Sequence, residues 1–467
     1  MNGLIIINNA ILSNLYIEVA RYLQSVGYTI YIVTDSEFTL KKFKLNEKNF
    51  DGVFVFESFS NSYDSVNKGK HDFWNVHSDF ERNKYYKSVR GNGDYWSSVS
   101  NALHAFFDNI YVDNKIDFIF YENVSNGLAE SAMCVGKKYN IRYLGLTSSR
   151  LPGRMLFSDD EIELASYIRK LADDVDLSTL SKEEENYIKT YLNNIDTIQP
   201  DYMKTNGLSS INFLKRVFKK RDFREAFTSV IYGLKGSNTF QMGNTLLKSF
   251  FFNKREIVRT FCAKWLKNKY DNPIDSEKFF IYPLHYHPES STSILAKYYD
   301  EYEVIKNIAF SLPQNTYLYV KDHISANGYE GFEFYRKLLK LPNVKLISPQ
   351  INTKSLIRKC SGIFTLTSTV GYEGVLLNKP VVVFGDVFYN EHPFVYKISG
   401  YRDIPKAIDF INTSSVGENN YINEKFVAAY YKITFPLYVD YRVNGSELAD
   451  KGKEIALIID CKLNSRS

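Results

Sequence analysis

Twice along this 467-residue chain, short apolar runs alternate with segments whose apolar residues fall at helical spacing. That rhythm constrains the fold more than any other feature. Buried parallel strands read as continuous apolar runs, and each needs a crossover, usually a helix, to reach its neighbour. The first series opens with strand Leu4–Ile7, a helix over Asn14–Val26 and strand Tyr28–Val33, closed by Asp35. It resumes with strand Asp117–Tyr121, a helix around Gly127–Tyr139 and strand Arg142–Leu146. The second series has strands at Phe279–Leu284, Tyr317–Lys321, Val344–Ile347, Gly362–Leu366 and Val381–Phe384. Helices are predicted between them near Thr292–Tyr299, Glu303–Leu312, Tyr329–Leu339, Thr353–Cys360 and Val370–Leu377. Residues 36–100 predict loops and short helices. Residues 160–270 lose the strand pattern, and Ser181–Leu192, Ile211–Phe227 and Asn253–Lys269 read as helices.

The length exceeds what one hydrophobic core organises, so two domains are expected. The pattern predicts a Rossmann-like lobe over 1–160, a helical connecting region over 161–272 and a second Rossmann-like lobe over 273–415. Helices over 416–467 are expected to pack back on the first lobe. Two such lobes facing one cleft form the α/β architecture called GT-B. The first βα turn carries Asn8 and Asn9 where a dinucleotide fingerprint needs glycines, which argues against an NAD or FAD site of the usual kind.

Four cysteines (Cys134, Cys262, Cys360, Cys461) lie far apart with no CxxC pair, which excludes a sequence-visible zinc site or disulfide framework. The start, Met1-Asn2-Gly3, lacks the basic region of a signal peptide, and no run reaches the roughly 18–20 apolar residues of a membrane span. The expectation is a cytoplasmic protein whose membrane contact is peripheral. The formal charge of +5 hides an asymmetry. Phe213–Tyr270 holds fourteen Lys/Arg against Asp222, Glu225 and Glu256, a balance of +11 that leaves −6 elsewhere. Such a segment points to a membrane surface or polyanionic partner. It contains no nucleic-acid-binding module, so nucleic acid is not the expected partner.

Ligands of open α/β sheets bind beyond the carboxyl ends of the strands, so polar residues there are the candidates. In Thr365-Leu366-Thr367-Ser368-Thr369-Val370-Gly371-Tyr372-Glu373-Gly374, an apolar strand runs into hydroxyls and then a helix. Ser368, Thr369 and the helix start can cradle a phosphate, and Glu373 can accept from sugar or ribose hydroxyls. The same spacing also permits helix capping by Ser368 or Thr369 with Glu373 as capping-box partner. In Pro283-Leu284-His285-Tyr286-His287-Pro288-Glu289, His285 and His287 can bind a phosphate or protonate a leaving group. Lys321 and His323 end another strand, where a cation neutralises a phosphate or sugar carboxylate. In the first lobe, Glu122 is the candidate catalytic carboxylate, as base or nucleophile, with Asp159 and Asp160 as weaker ones. Arg150 and Arg154 could clamp an anionic acceptor. No Asp-x-Asp motif stands at a strand end, so no metal site is predicted.

Residues 367–389, Thr-Ser-Thr-Val-Gly-Tyr-Glu-Gly followed by Asn-Lys-Pro-Val and Phe-Gly-Asp-Val-Phe-Tyr, resemble the signature of the bacterial capsule polysaccharide synthesis family, which includes the β-Kdo transferases. Lys321-Asp322-His323 resembles that family's Lys-x-His-Pro motif, with Ile324 in place of the proline. Pro283-Leu284-His285 resembles its Pro-Leu-Gln segment, with His285 in place of glutamine. The resemblance covers about residues 279–395. It implies a GT-B glycosyltransferase of capsule or lipopolysaccharide assembly, needing no cofactor beyond its donor. A nucleotide-activated sugar, CMP-linked and Kdo-like, would bind near Ser368, Thr369, Lys321, His285 and Glu373. A glycan or lipid-linked acceptor would meet the first lobe, and residues 213–270 would hold the enzyme at the inner membrane face. The alternatives are a CDP-glycerol-type polyol-phosphate transferase and a non-catalytic scaffold of polysaccharide export.

Overall fold

The computed structural model describes residues 1–8, 12–63, 74–82, 93–198, 245–287, 289–296, 298, 300–414, 420–440 and 445–464. The predicted helix Ile211–Phe227, the basic residues Lys215 to Lys235 and the turn residue Asn9 lie outside them.

Thirteen strands among the described residues form two sheets. In the N-terminal lobe, β1 (Asn2–Ile7), β2 (Thr29–Thr34), β3 (Gly52–Val55), β4 (Phe118–Glu122) and β5 (Arg142–Ser148) are parallel in the order β3-β2-β1-β4-β5. Strand β6 (Arg154–Phe157) adds antiparallel to β5. In the C-terminal lobe, β7 (Lys278–Pro283), β8 (Thr316–Lys321), β9 (Val344–Ile347), β10 (Gly362–Thr365), β11 (Val381–Val383) and β12 (Val395–Lys397) are all parallel, in the order β9-β8-β7-β10-β11-β12. Strand β13 (Phe435–Pro436) returns to the first sheet, antiparallel to β6. Both lobes therefore have the doubly wound order, and the fold is two Rossmann-like domains. In each, the strand order reverses beside the first strand: between β1 and β4, and between β7 and β10. A crevice opens there at the carboxyl ends.

The central strands are apolar and buried throughout, as the sequence pattern requires: Leu4–Ile7, Phe118–Tyr121, Phe279–Tyr282 and Gly362–Thr365. Helix Ser13–Ser25 buries Leu15, Tyr16, Val19, Ala20 and Leu23 on one face against the first sheet. The last helix, Ser446–Asn464, packs across it: a Cβ at Gly452 would sit 3.1 Å from Glu18 backbone, and Tyr28 donates to Asp460 at 2.6 Å.

Some expectations change. Residues 36–100 contain strand β3 and the start of a 22-residue helix, Gly93–Asn114, that pattern reading missed. Its Tyr, Phe and Asn content masks the apolar stripe. The helix expected over Thr292–Tyr299 shrinks to Ser290–Ser293. Helices Glu161–Asp174 and Lys182–Asn193 of the connecting region do not stand apart as an insertion. Their Ile168, Ile188 and Tyr191 share one core with Tyr372 and Phe388 of the second lobe and with Phe426 and Tyr430 of helix Asn420–Ile433. The lobes are joined through this common core.

Candidate functional site

The two histidines of the β7 loop meet a carboxylate that sequence reading did not single out. Glu301, in the first turn of helix Glu301–Ser311, is buried. It accepts from His285 Nδ1 at 2.7 Å, from the His285 amide at 3.2 Å and from Tyr282 at 3.0 Å, and it pairs with His287 Nε2 at 3.3 Å. Burial alone would raise its carboxyl. The field and hydrogen bonds of His285 and the bond from His287 outweigh burial and bring it down to about 2. The other nitrogen of His285 faces the β10 loop, taking the Thr367 amide at 3.3 Å and lying 3.2 Å from Thr365 Oγ1. An amide donating to Nε2 leaves the ring hydrogen on Nδ1, directed at Glu301. Both ring nitrogens of His285 are thus engaged, and the ring bridges the two strand ends that flank the crevice. That arrangement gives His285 a positioning role in the loop, beside the catalytic role expected of it.

The loop His285 anchors leads into helix Thr369–Leu376. The Ser368 amide donates to Thr365 Oγ1 at 3.0 Å, and its side chain accepts from the Val370 amide at 3.2 Å. Ser368 is therefore the N-cap, and capping competes with ligand for its hydroxyl. Tyr389, from the Phe-Tyr end of the signature, donates to the Ser368 carbonyl at 2.7 Å. Gly371 is required where it stands, because a Cβ there would collide with Tyr389 Oη. Glu373 completes no capping box. It lies 3.6 Å from Lys354, which donates to the carbonyls of Ile195 and of Ile198 (2.5 Å) in the connecting region.

Across the crevice, β7 and β8 pair Pro283 with Lys321, so the Lys321 strand end sits level with the histidine loop. Lys321 is 5% exposed. Its one hydrogen bond among the described residues is a long 3.5 Å contact to the Asp322 carbonyl. Burial pushes this ammonium down to about 8, against the pull of Asp322. A buried cation with no carboxylate partner is costly, and an incoming anion relieves that cost. Asp322 is committed elsewhere, accepting from Tyr270 (2.6 Å), Asn327 (2.9 Å), Tyr335 (3.1 Å) and the His323 amide (2.8 Å). The His323 Nδ1 accepts the Ser325 amide at 3.1 Å, which leaves Nε2 as a donor. Burial, helped by neighbouring His285 and Lys321, pushes that ring down to about 4, so it is neutral near pH 7.

Glu122 ends β4, at the crevice of the first lobe, and accepts from Ser125 at 2.5 Å. Beside it the lobes touch: His77 Nδ1 lies 2.8 Å from the Ser293 carbonyl, and Ser293 lies 3.4 Å from Ser78, which bonds the Ser125 carbonyl. The two arginines part company. Arg150 lies at the lobe junction, where burial raises the carboxyls of Glu161, Glu289 and Glu373 and its charge works against that rise. Arg154 turns away, donating to Thr434 at 2.7 and 2.8 Å and stacking on Tyr431 with its guanidinium 3.7 Å from the ring centre. Its contacts tie β6 to the C-terminal segment, not to an acceptor. Asp160 caps helix Glu161–Asp174 and pairs with Lys137 at 3.0 Å. Beside it, burial pushes Glu161 up to about 7, a carboxylate not predicted from sequence.

Residues 256–396, which contain the Lys321 strand end, the histidine loop and the cradle, match the model of the family described as capsule polysaccharide biosynthesis protein. Over these residues the chain is similar to the capsule polysaccharide synthesis family. The match spans the segment whose motifs resemble that family, so the resemblance holds where the residues carried it. No curated protein matches the chain. Among solved structures, the β-Kdo 2,4 transferase of Thermosulfurimonas dismutans KpsC is 14% identical, over 67% of this chain and 79% of that one, with a TM-score of 0.36. Its β-Kdo 2,7 transferase is 12% identical, over 85% and 88%, at 0.33. A Methanocaldococcus jannaschii UDP-GlcNAc 2-epimerase in complex with UDP-GlcNAc and UDP is 12% identical, over 98% and 99%, at 0.30. These likenesses are loose, and the fold rests on the sheet order itself.

Proposed function

We propose that the chain is a glycosyltransferase of capsule or lipopolysaccharide assembly, moving a Kdo-like sugar from a CMP-linked donor to a glycan or lipid-linked acceptor. The observation that carries this reading is the buried Lys321 ammonium, with no carboxylate partner among the described residues, beside the histidine loop in a lobe bearing the capsule-synthesis signature. An anionic phosphate is the ligand such a group accommodates. Lys321 and the Nε2–H of His323 would hold the donor phosphate, with the start of helix Thr369–Leu376 supplying Ser368 and Thr369. His285 and Glu301 would hold that loop in place, and Glu373 would accept a donor hydroxyl.

Glu122 would take the proton of the acceptor hydroxyl as its oxygen bonds the anomeric carbon. The bond from that carbon to the phosphate oxygen breaks, and its electron pair leaves on CMP, where Lys321 stabilises the charge. This assignment meets the phosphate charge with protein groups and no metal ion. Arg150 is the acceptor-binding arginine of the pair. The basic segment 213–270 would keep the enzyme at the inner face of the cytoplasmic membrane, within reach of a lipid-linked acceptor. No described helix is long and apolar enough to cross a membrane.

A thermal-shift panel of CMP, CDP, UDP, GDP and ADP tests the reading. Stabilisation by CMP that Lys321→Ala abolishes is the expected result. A response to UDP alone overturns the CMP assignment. Turnover of CDP-glycerol with no nucleotide sugar used overturns the glycosyltransferase.

A further inference from the structure

From Lys254 onward, helix Thr245–Leu266 is built inside out. Its inward face carries Arg255, Glu256 and Arg259 with Cys262 and Leu266, while Ile257, Val258 and Phe261 point outward, 39%, 42% and 61% exposed. A surface helix ordinarily turns its apolar stripe in and its charges out. Here the inward charges are held. Arg259 pairs with Glu256 at 3.5 Å, donates to the Asn327 carbonyl at 3.1 Å and also bonds the Ser325 carbonyl. The guanidinium groups of Arg255 and Arg259 lie 4.5 and 5.7 Å from the centre of the Tyr329 ring. Gly328, at φ +73°, lets the loop approach so closely that a Cβ would stand 2.6 Å from the Arg259 carbonyl and 2.7 Å from the Ala263 amide. The helix thus braces residues 323–329, the loop that continues from Lys321-Asp322-His323.

The outward strip has a basic rim. Lys254, Lys264, Lys267 and Lys269 are exposed, and Glu256, the one acid between Lys254 and Lys269, is turned inward. We infer that this outward face is a docking surface for an anionic lipid bilayer, with Ile257, Val258 and Phe261 entering the headgroup boundary and the lysines meeting lipid charge. The chemistry selects this occupant. A polyanionic glycan would satisfy the lysines but offer nothing to the apolar strip. A second copy of the chain would set lysine against lysine across a two-fold axis. The inference deepens the membrane contact proposed above. It places that contact on one helix face, which Arg259 connects to the candidate donor loop.

The test mixes the full chain with vesicles of phosphatidylcholine alone or with phosphatidylglycerol, and measures the bound fraction by flotation. Phe261→Asp removes an exposed apolar group, and Lys254→Glu with Lys264→Glu reverses two rim charges. Each should lower binding to the phosphatidylglycerol vesicles by about tenfold or more. Each should also leave the unfolding temperature and any CMP stabilisation unchanged. Equal binding to neutral vesicles, or unchanged binding by Phe261→Asp, overturns the proposal. So does a concentration-dependent dimer of the native chain that Phe261→Asp abolishes. Absence of any nucleotide stabilisation in the native chain would sink the transferase reading and leave the vesicle result standing.

Discussion

The two lobes share one strand order and end it in crevices of opposite character. Beside the reversal between β7 and β10, the end of β8 buries Lys321 with no carboxylate partner among the described residues and carries His323, whose Nε2 is left as a donor. At the reversal between β1 and β4, the first lobe presents Glu122, with buried Asp35 ending the adjacent strand β2 and buried Asp79 nearby. The same topology therefore makes a crevice suited to phosphate on one side and one suited to neutral hydroxyls on the other. What differs is only which side chains follow the strands. A transferase needs this division, because a charged leaving group and a proton-losing nucleophile must be held in different fields.

The division can be broken one side at a time. Glu122→Gln should lower kcat by about 10²–10⁴-fold, the usual reach of a general base, while CMP stabilisation and donor KM stay unchanged. A parallel loss of CMP binding would show that the two crevices are not separate. Lys321→Ala should weaken nucleotide binding by about 10- to 100-fold, the worth of a hydrogen bond to a charged group, as read by calorimetry. Equal CMP affinity in this variant would remove the phosphate role.

The pH dependence sharpens the same contrast. Lys321 is charged below about 8 and loses its proton above it, so CMP affinity should fall as pH climbs past about 8. Free-protein stability should move the other way. Between about 8 and the ordinary lysine value of 10.5, the unfolded chain holds a proton that the folded chain has released, and stability from this group rises with pH. Titrations of CMP binding and of unfolding temperature with parallel slopes would refute the assignment. The smallest effect is expected from Ser368→Ala, which loses an N-cap worth about 1 kcal/mol. It should lower the unfolding temperature slightly and weaken CMP binding a few-fold, against no change in CMP binding for the same substitution at exposed Ser355 (N3 of another helix).

The crevice of the second lobe was legible because parallel strands announce themselves as apolar runs, and the residues after each run fall where ligands bind. Lys321, His323, His285 and the Thr367–Thr369 turn were picked out in that way, and the structure places them at neighbouring strand ends. Glu301 was not, because an acid following Asp300 at a helix start looks like ordinary capping. Arg150 and Arg154 stand four residues apart in one loop and were indistinguishable. Contacts some 280 residues away in sequence separate them, since Tyr431 and Thr434 claim Arg154. The basic segment misled in part: of its described residues, Arg259 is buried against the lobe and Arg255 stacks on Tyr329.

By itself the sequence determined the parallel strands of two sheets and the polar residues that follow them, because strand period and burial are local properties of the chain. Only the tertiary structure decided which polar groups are spent on each other and which are left for a ligand. Among the described residues, His285 is satisfied by Glu301 and the Thr367 amide, and Asp322 by four donors, whereas Lys321 has one long hydrogen bond. Satisfaction depends on partners distant in sequence that crossover connections bring within 3 Å or so, and no local pattern records those distances.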